Sequence, residues 1–249
     1  MSPQHATWPD KYQHIDVSCD TPPNPSAASV CPTPGWSGCR INGPDAARFL
    51  QGLITCDIHA QATVQLGACC NLKGRVISTL YITRDSPDQF NIWLPTDLIP
   101  HCLEQWQKTA PFFQLSMNRV TDQLCFIYHP ATDSTPSLPP TIYAHTDPLA
   151  PTRHWCVGQA EAVLTWLDTN NPSLMSDTQQ NLFDINAGII TLNARTTEHC
   201  LPQMLALDKR DALSWSKGCY LGQEVVARTQ HRGQIKRRLY RLTQKTSTE

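Results

Sequence analysis

No apolar run in the 249-residue sequence approaches the ~18 residues needed to cross a bilayer. The amino terminus also lacks a basic start followed by a hydrophobic stretch. The expectation is therefore a soluble, cytoplasmic protein with no membrane partner. An excess of charge of one sign is missing too. With a formal net charge of -1 and acids and bases spread evenly, the surface is not built as a whole for nucleic acid or an acidic membrane, and any such partner needs a local patch. Nowhere do two cysteines stand in a C-x-x-C arrangement. The eleven cysteines are odd in number and scattered through apolar segments, with Cys69 and Cys70 adjacent. This is neither a secreted disulfide framework nor a zinc, redox or cluster pair, so no metal ligands are assigned. Cys39, Cys56, Cys102, Cys125 and Cys156 read as small buried hydrophobes. No internal repeat occurs.

What is present begins with residues 1–34, where Pro22, Pro23, Pro25, Pro32 and Pro34 leave little room for regular structure. This reads as an extended arm preceding one main region, 35–249. Pro44, an apolar stripe of Phe49, Leu50 and Leu53, and a closing Gly52 predict a short helix. Val64 to Cys70 and Arg75 to Arg84 read as strands joined by a turn at Asn71-Leu72-Lys73-Gly74, since Asn and Gly tolerate the positive φ of such turns. A strand at Phe90 to Leu94 precedes a helix from Asp97 to Lys108 with Leu98, Cys102, Leu103 and Trp106 on one face. Strands follow at 112–117 and 123–128. Pro130, Pro136, Pro139, Pro140, Pro148 and Pro151 then mark a long loop or edge, with a seam between two interleaved subdomains near 129–151. Gly158 to Leu167 and Thr178 to Ala187 read as helices, the second ended by Gly188. The fold class is α+β, with antiparallel hairpins rather than βαβ alternation.

The densest cluster of unusual residues is Lys217-Gly218-Cys219-Tyr220-Leu221-Gly222-Gln223-Glu224, continuing to Arg228. Gly218 and Gly222 let the backbone turn tightly, and the segment from Gln223 has the composition of a helix start. Two readings of Cys219 stand side by side. In one, the helix end and the Lys217 cation favour a reactive thiolate, partly exposed at the edge of a central cavity. In the other, Cys219 fills a tight turn with Lys217 and Glu224 solvated. From Lys217 to Arg241 there are seven Lys or Arg residues against the single acid Glu224, a face able to receive a polyglutamate tail or RNA phosphate, or simply a solvated one.

The string KGCYLGQEVVAR, Lys217 to Arg228, resembles the signature of the YgfZ family, and His231-Arg232-Gly233 to Lys236-Arg237-Arg238 is similar to its continuation. Gly43 to Ile58, Cys70 to Arg75, Asn186 to Ile189 and Leu201-Pro202-Gln203 resemble further family blocks in the same order. The resemblance implies the fold of the glycine-cleavage T-protein, with antiparallel sheets flanked by helices around a central channel for tetrahydrofolate. It also implies work in the assembly or repair of iron–sulfur enzymes, including those that methylthiolate tRNA. Cys219 is then the candidate functional thiol, with Lys217, Gly218, Tyr220, Gly222, Gln223, Glu224 and Arg228 as its motif. Lys217, Tyr220, Gln203 and Arg228 are the candidate folate contacts.

Two departures matter. Where T-proteins carry an Asp pair that helps activate the folate amine, this chain has Ser78 and Thr79, and hydroxyls cannot replace a carboxylate as a base near neutrality. Family members continue into a carboxyl-terminal β-barrel, of which 239–249, with Tyr240 to Thr243, supplies at most the first strand. Three functions remain open: a folate-dependent accessory protein, a T-protein-like aminomethyltransferase or demethylase, and a binding scaffold without chemistry. A classical aminomethyltransferase is the least expected of these.

Overall fold

The computed structural model describes residues 8–12, 28–33, 35–130, 138–233, 235 and 237–242. Its elements in chain order are β1 Ser29–Pro32, β2 Trp36–Asn42, α1 Ala46–Gln51, β3 Val64–Cys70, β4 Val76–Ser86, β5 Gln89–Pro95, α2 Ile99–Thr109, β6 Ser116–Arg119, β7 Gln123–His129, β8 Ile142–Asp147, β9 Ala150–Gln159, α3 Ala160–Asn170, β10 Ser173–Leu174, α4 Asp177–Ala187 and α5 Gln223–Arg232. The strands form two five-stranded sheets, ordered β3-β4-β5-β2-β6 and β10-β1-β7-β9-β8. Every pairing is antiparallel except β1 with β10.

The expected hairpin is β3–β4. Its turn closes through Gly74 N donating to Asn71 O at 2.9 Å, while Asn71 Oδ1 accepts from Lys73 N and Arg75 N. Gly74 has φ +68°, the left-handed conformation that costs an L-side chain most. Val76 to Thr83 of β4 are buried at every position. An unbroken buried run rather than an alternating one marks a strand covered on both faces. Helix α4 has a full capping box, Ser176 with Gln179, and ends on Gly188 at φ +70°.

Several expectations needed adjustment. The end of the proline-rich arm is β1, which lies inside the second sheet between β10 and β7. β2 and β9 were not anticipated. In β2, Gly38 blurs the side-chain pattern because a Cβ there would lie 2.8 Å from Trp93 and Val120. The stretch 129–151 carries β8, an edge strand. β9 runs through Gln159, so the helix expected from Gly158 begins at Ala160. The strand expected at 112–117 starts at Ser116, after a 3-10 turn Ala110–Phe112 that contains Pro111. Tyr240 to Leu242 form no strand, and Thr243 lies outside the described residues. The described strands make two open sheets and no closed barrel.

The sheets meet over aromatic side chains. Tyr81 of β4 stacks on Trp155 of β9 at 4.3 Å between centroids, with Trp36 of β2 5.8 Å from Tyr81. Such pairs contribute about 0.5–1.5 kcal/mol beyond burial alone. Beside them Arg153 of β9 donates from Nε to Asp184 of α4 at 2.7 Å and from Nη1 to Tyr81 Oη at 3.3 Å. One guanidinium thus ties α4 and both sheets together. A second buried ion pair joins Arg210 to Asp147 at the end of β8.

Candidate functional site

The segments singled out in the sequence converge on the loop before α5. Leu221 N donates to Gly52 O at 2.9 Å, just past α1. Gly222 caps α5 at φ +82°, and a Cβ there would lie 2.4 Å from Asn71 O and 2.8 Å from Gly74 Cα. The hairpin turn therefore rests directly on the glycine, which no other residue can replace without displacing backbone. Gln203 Nε2 donates to Val226 O at 2.8 Å, fixing the 3-10 turn Pro202–Leu205 to α5. Thr55 ties in the chain ahead of the motif: its Oγ1 donates to Ala212 O at 2.6 Å and its carbonyl accepts from Ser214 N at 2.9 Å. Three separated stretches, 52–55, 71–74 and 202–205, thus hold this loop and the helix that follows it.

On that loop the side chains divide. Cys219 is exposed, alone in this among the ten described cysteines. It lies three residues before the cap of α5. Lys217 turns inward instead: Nζ donates to Ile54 O at 2.7 Å and Cys56 O at 2.8 Å, and sits 5.3 Å from the Tyr220 ring centroid. Burial pulls its pKa down to about 8. The cation expected beside the thiol is committed to the Ile54–Cys56 backbone. Tyr220 is buried, its hydroxyl has no partner among the described residues, and burial pushes its pKa up. Gln203 is buried, and its Oε1 has no partner among the described residues.

Glu224 and Arg228 pair at 2.7 Å on the exposed side of α5, away from the inward-facing Lys217 and Tyr220. Gln223 Oε1 accepts from Tyr220 N at 3.1 Å and closes the loop. Gly218 is exposed with open space around it, so of the two glycines only Gly222 is required by packing. Ser78 and Thr79 are buried, and Ser78 Oγ donates to Thr79 O at 2.7 Å. No carboxylate stands at those positions.

A cavity of about 310 Å³ opens elsewhere, between α4, the ends of β1 and β5, and residues 191–193. Its wall includes Trp36, Asp97, Asp177, Gln180, Asn181 and Asp184, and no residue of the 217–228 motif. Asp177, Gln180, Asn181 and Asp184 follow helical spacing, so a polar stripe was legible in the sequence. Its inward direction was not, because a polar stripe ordinarily faces water. Among the described residues no group of three or more His, Cys, Asp or Glu is arranged to hold a metal ion, and no helix is long and apolar enough to cross a membrane.

No protein-family model matches the chain. It is 28% identical over 222 residues to the tRNA-modifying protein YgfZ of Colwellia psychrerythraea, covering 80% of this chain and 67% of that one. To the tRNA-modifying protein YgfZ of Hamiltonella defensa it is 30% identical over 241 residues, covering 84% and 68%. Among solved structures, aminomethyltransferase T of the glycine cleavage system from Bartonella henselae superposes with a TM-score of 0.66 at 12% identity, over 84% of this chain. The chain spans 64% of that structure's length, and at this identity the likeness establishes a shared fold. With its T-protein-like pair of sheets and 30% identity across most of both chains, this protein belongs to the YgfZ family.

Proposed function

We propose that the chain is a tetrahydrofolate-binding accessory protein for the assembly or repair of iron–sulfur enzymes, tRNA-modifying ones among them, and that it acts through Cys219. The observation that carries this reading is the exposed thiol on a loop held by three separate parts of the chain, in a fold where the other described cysteines are wholly or partly buried. A thiol merely filling a turn needs no such support. The names of the relatives favour a role connected with tRNA modification, and the T-protein-like fold favours a folate. The residues present fit a folate: the cavity lies in the size range of small-ligand sites and combines the ring of Trp36 with a few polar groups. When bound, the folate supplies a carrier for a one-carbon unit. This chain's part is to bind and orient it.

The test is complementation of a strain lacking its own homologue, reading an iron–sulfur-dependent tRNA modification. Cys219→Ser is expected to lose at least ten-fold activity while Cys102→Ser keeps it. Full activity of Cys219→Ser overturns the thiol role and leaves a scaffold. Aminomethyl transfer is disfavoured because Ser78 and Thr79 offer hydroxyls where a base is needed. The purified protein is expected to give no glycine cleavage with the usual partner proteins, and turnover comparable with a T-protein would reverse this.

A further inference from the structure

We infer that His129 is a proton-operated latch on α4: with both ring nitrogens protonated it holds Gln180 against the second sheet, and with one it lets the Gln180 amide turn away from Asp184. The inference concerns the wall of the cavity and does not rest on what the cavity binds.

His129, at the end of β7, is 6% exposed. Its Nε2 lies 3.0 Å from Gln180 Oε1 and its Nδ1 lies 3.1 Å from Thr152 O. The Gln180 amide has its direction set from the other side, where Nε2 donates to Asp184 Oδ1 at 2.8 Å. That carboxylate also receives Arg153 Nε at 2.7 Å, so it is an acceptor and the amide oxygen is left to face the histidine. Both ring nitrogens therefore meet acceptors. Turning the ring over would place carbons there instead, and imidazolium, with two N–H donors, is the form that satisfies both. The Phe183 ring, 4.1 Å away between centroids, favours the same cation. The arrangement described is that of the protonated residue.

A neutral imidazole keeps one N–H, so one of the two links has to open. Thr152 O is a backbone carbonyl in β9 and cannot turn, whereas the Gln180 amide rotates about its side-chain torsions. The N–H stays on Nδ1, and the Nε2 lone pair then faces Gln180 Oε1. Rotation of the amide removes that clash by presenting Gln180 Nε2 to the ring, which withdraws it from Asp184 Oδ1. Gln180 and Asp184 both line the cavity, so loss of one proton adds acceptor capacity to its wall. Among the described residues, the charged and titratable groups that face His129 are Asp184 on α4 and Arg153 and His154 on β9. Its ladder partner on β1 is the uncharged Ser29. Burial and Arg153 oppose the cation while Asp184 favours it, and burial leads, so the pKa lies below the ordinary 6.5.

The test is nitrogen-15 NMR of the histidine rings and glutamine amides of the whole protein between about pH 4.5 and 8, with His129→Gln identifying the signal. His129 is expected to titrate with a midpoint below 6.5, its neutral form carrying the proton on Nδ1, and the Gln180 amide signals should move with the same midpoint. Gln180→Met, which removes the acceptor, should shift that midpoint to lower pH. Between the midpoint and 6.5 the unfolded chain binds more protons, so this group makes stability fall as pH drops through that window. Urea midpoints of His129→Gln should lack that part of the fall. A ring that keeps one protonation state across the range, a neutral ring protonated on Nε2, or Gln180 signals that do not follow His129 would each overturn the latch. These three readings come from wild type, so they decide the matter even where a variant does not fold.

Discussion

At the scale of single residues, the cysteines and Lys217 make the most direct predictions. Burial pushes Cys39 up to about 11 and Cys56 and Cys125 up to about 12, so at neutral pH they carry almost no thiolate, the reacting species. Limiting iodoacetamide on the native protein, read by mass spectrometry, is expected to label Cys219 first among the described cysteines. Labelling of Cys102 or Cys125 at the same rate would sink the reactive-thiol reading. Lys217 makes a pH prediction. Its folded value of about 8 lies below the ordinary 10.5 because burial disfavours the charge. Below pH 8 both folded and unfolded chains hold the proton, and the cost of burying it is fully present. Between about 8 and 10.5 the unfolded chain binds more protons, so this group makes stability rise with pH across that window. Urea midpoints of wild type and Lys217→Met should diverge in wild type's favour over that range, and parallel curves would contradict the assignment.

At the scale of elements, the two glycines around Cys219 separate what a sequence treats alike. Gly222 has positive φ and backbone within 2.4 Å of a would-be Cβ, whereas Gly218 has nothing within 4 Å. Gly222→Ala should cost about 2–4 kcal/mol through left-handed strain and displacement of the hairpin turn. Gly218→Ala should stay within about 0.5 kcal/mol of wild type. Chemical denaturation decides between them, and equal costs would mean that the turn at Asn71 does not rest on the loop.

For the whole molecule, the Arg153–Asp184–Tyr81 junction is the test. Removing one partner of a buried ion pair strands the other charge, so Asp184→Ala is expected to lose about 3–5 kcal/mol. Arg153→Met/Asp184→Leu, which removes both charges, should recover most of it. A double variant no better than the single would show that Tyr81 and Gln180 depend on the pair as much as it depends on them. The junction also sets how α4 stands against the sheets, and hence the shape of the cavity.

What the sequence determined by itself was local. The β3–β4 hairpin, α1, α2 and α4 were legible because turn residues, caps and apolar periodicity act over a few positions. The Cys219 segment stood out through its paired glycines and its motif. β2 and β9 were not, since a strand covered on both faces loses its alternation and neither follows a turn as plain as Asn71 to Gly74, which revealed the equally buried β4. Only the tertiary structure decided that Lys217 points inward, that Arg228 faces solvent on Glu224, and that α4 turns a polar stripe toward a cavity. Two of these depend on groups distant in the chain: Lys217 on the carbonyls of Ile54 and Cys56, more than 160 residues away, and Asp184 on Arg153, 31 residues away. Sequence spacing carries no record of a partner on a distant element, so a buried charge and a solvated one read alike until the chain is folded.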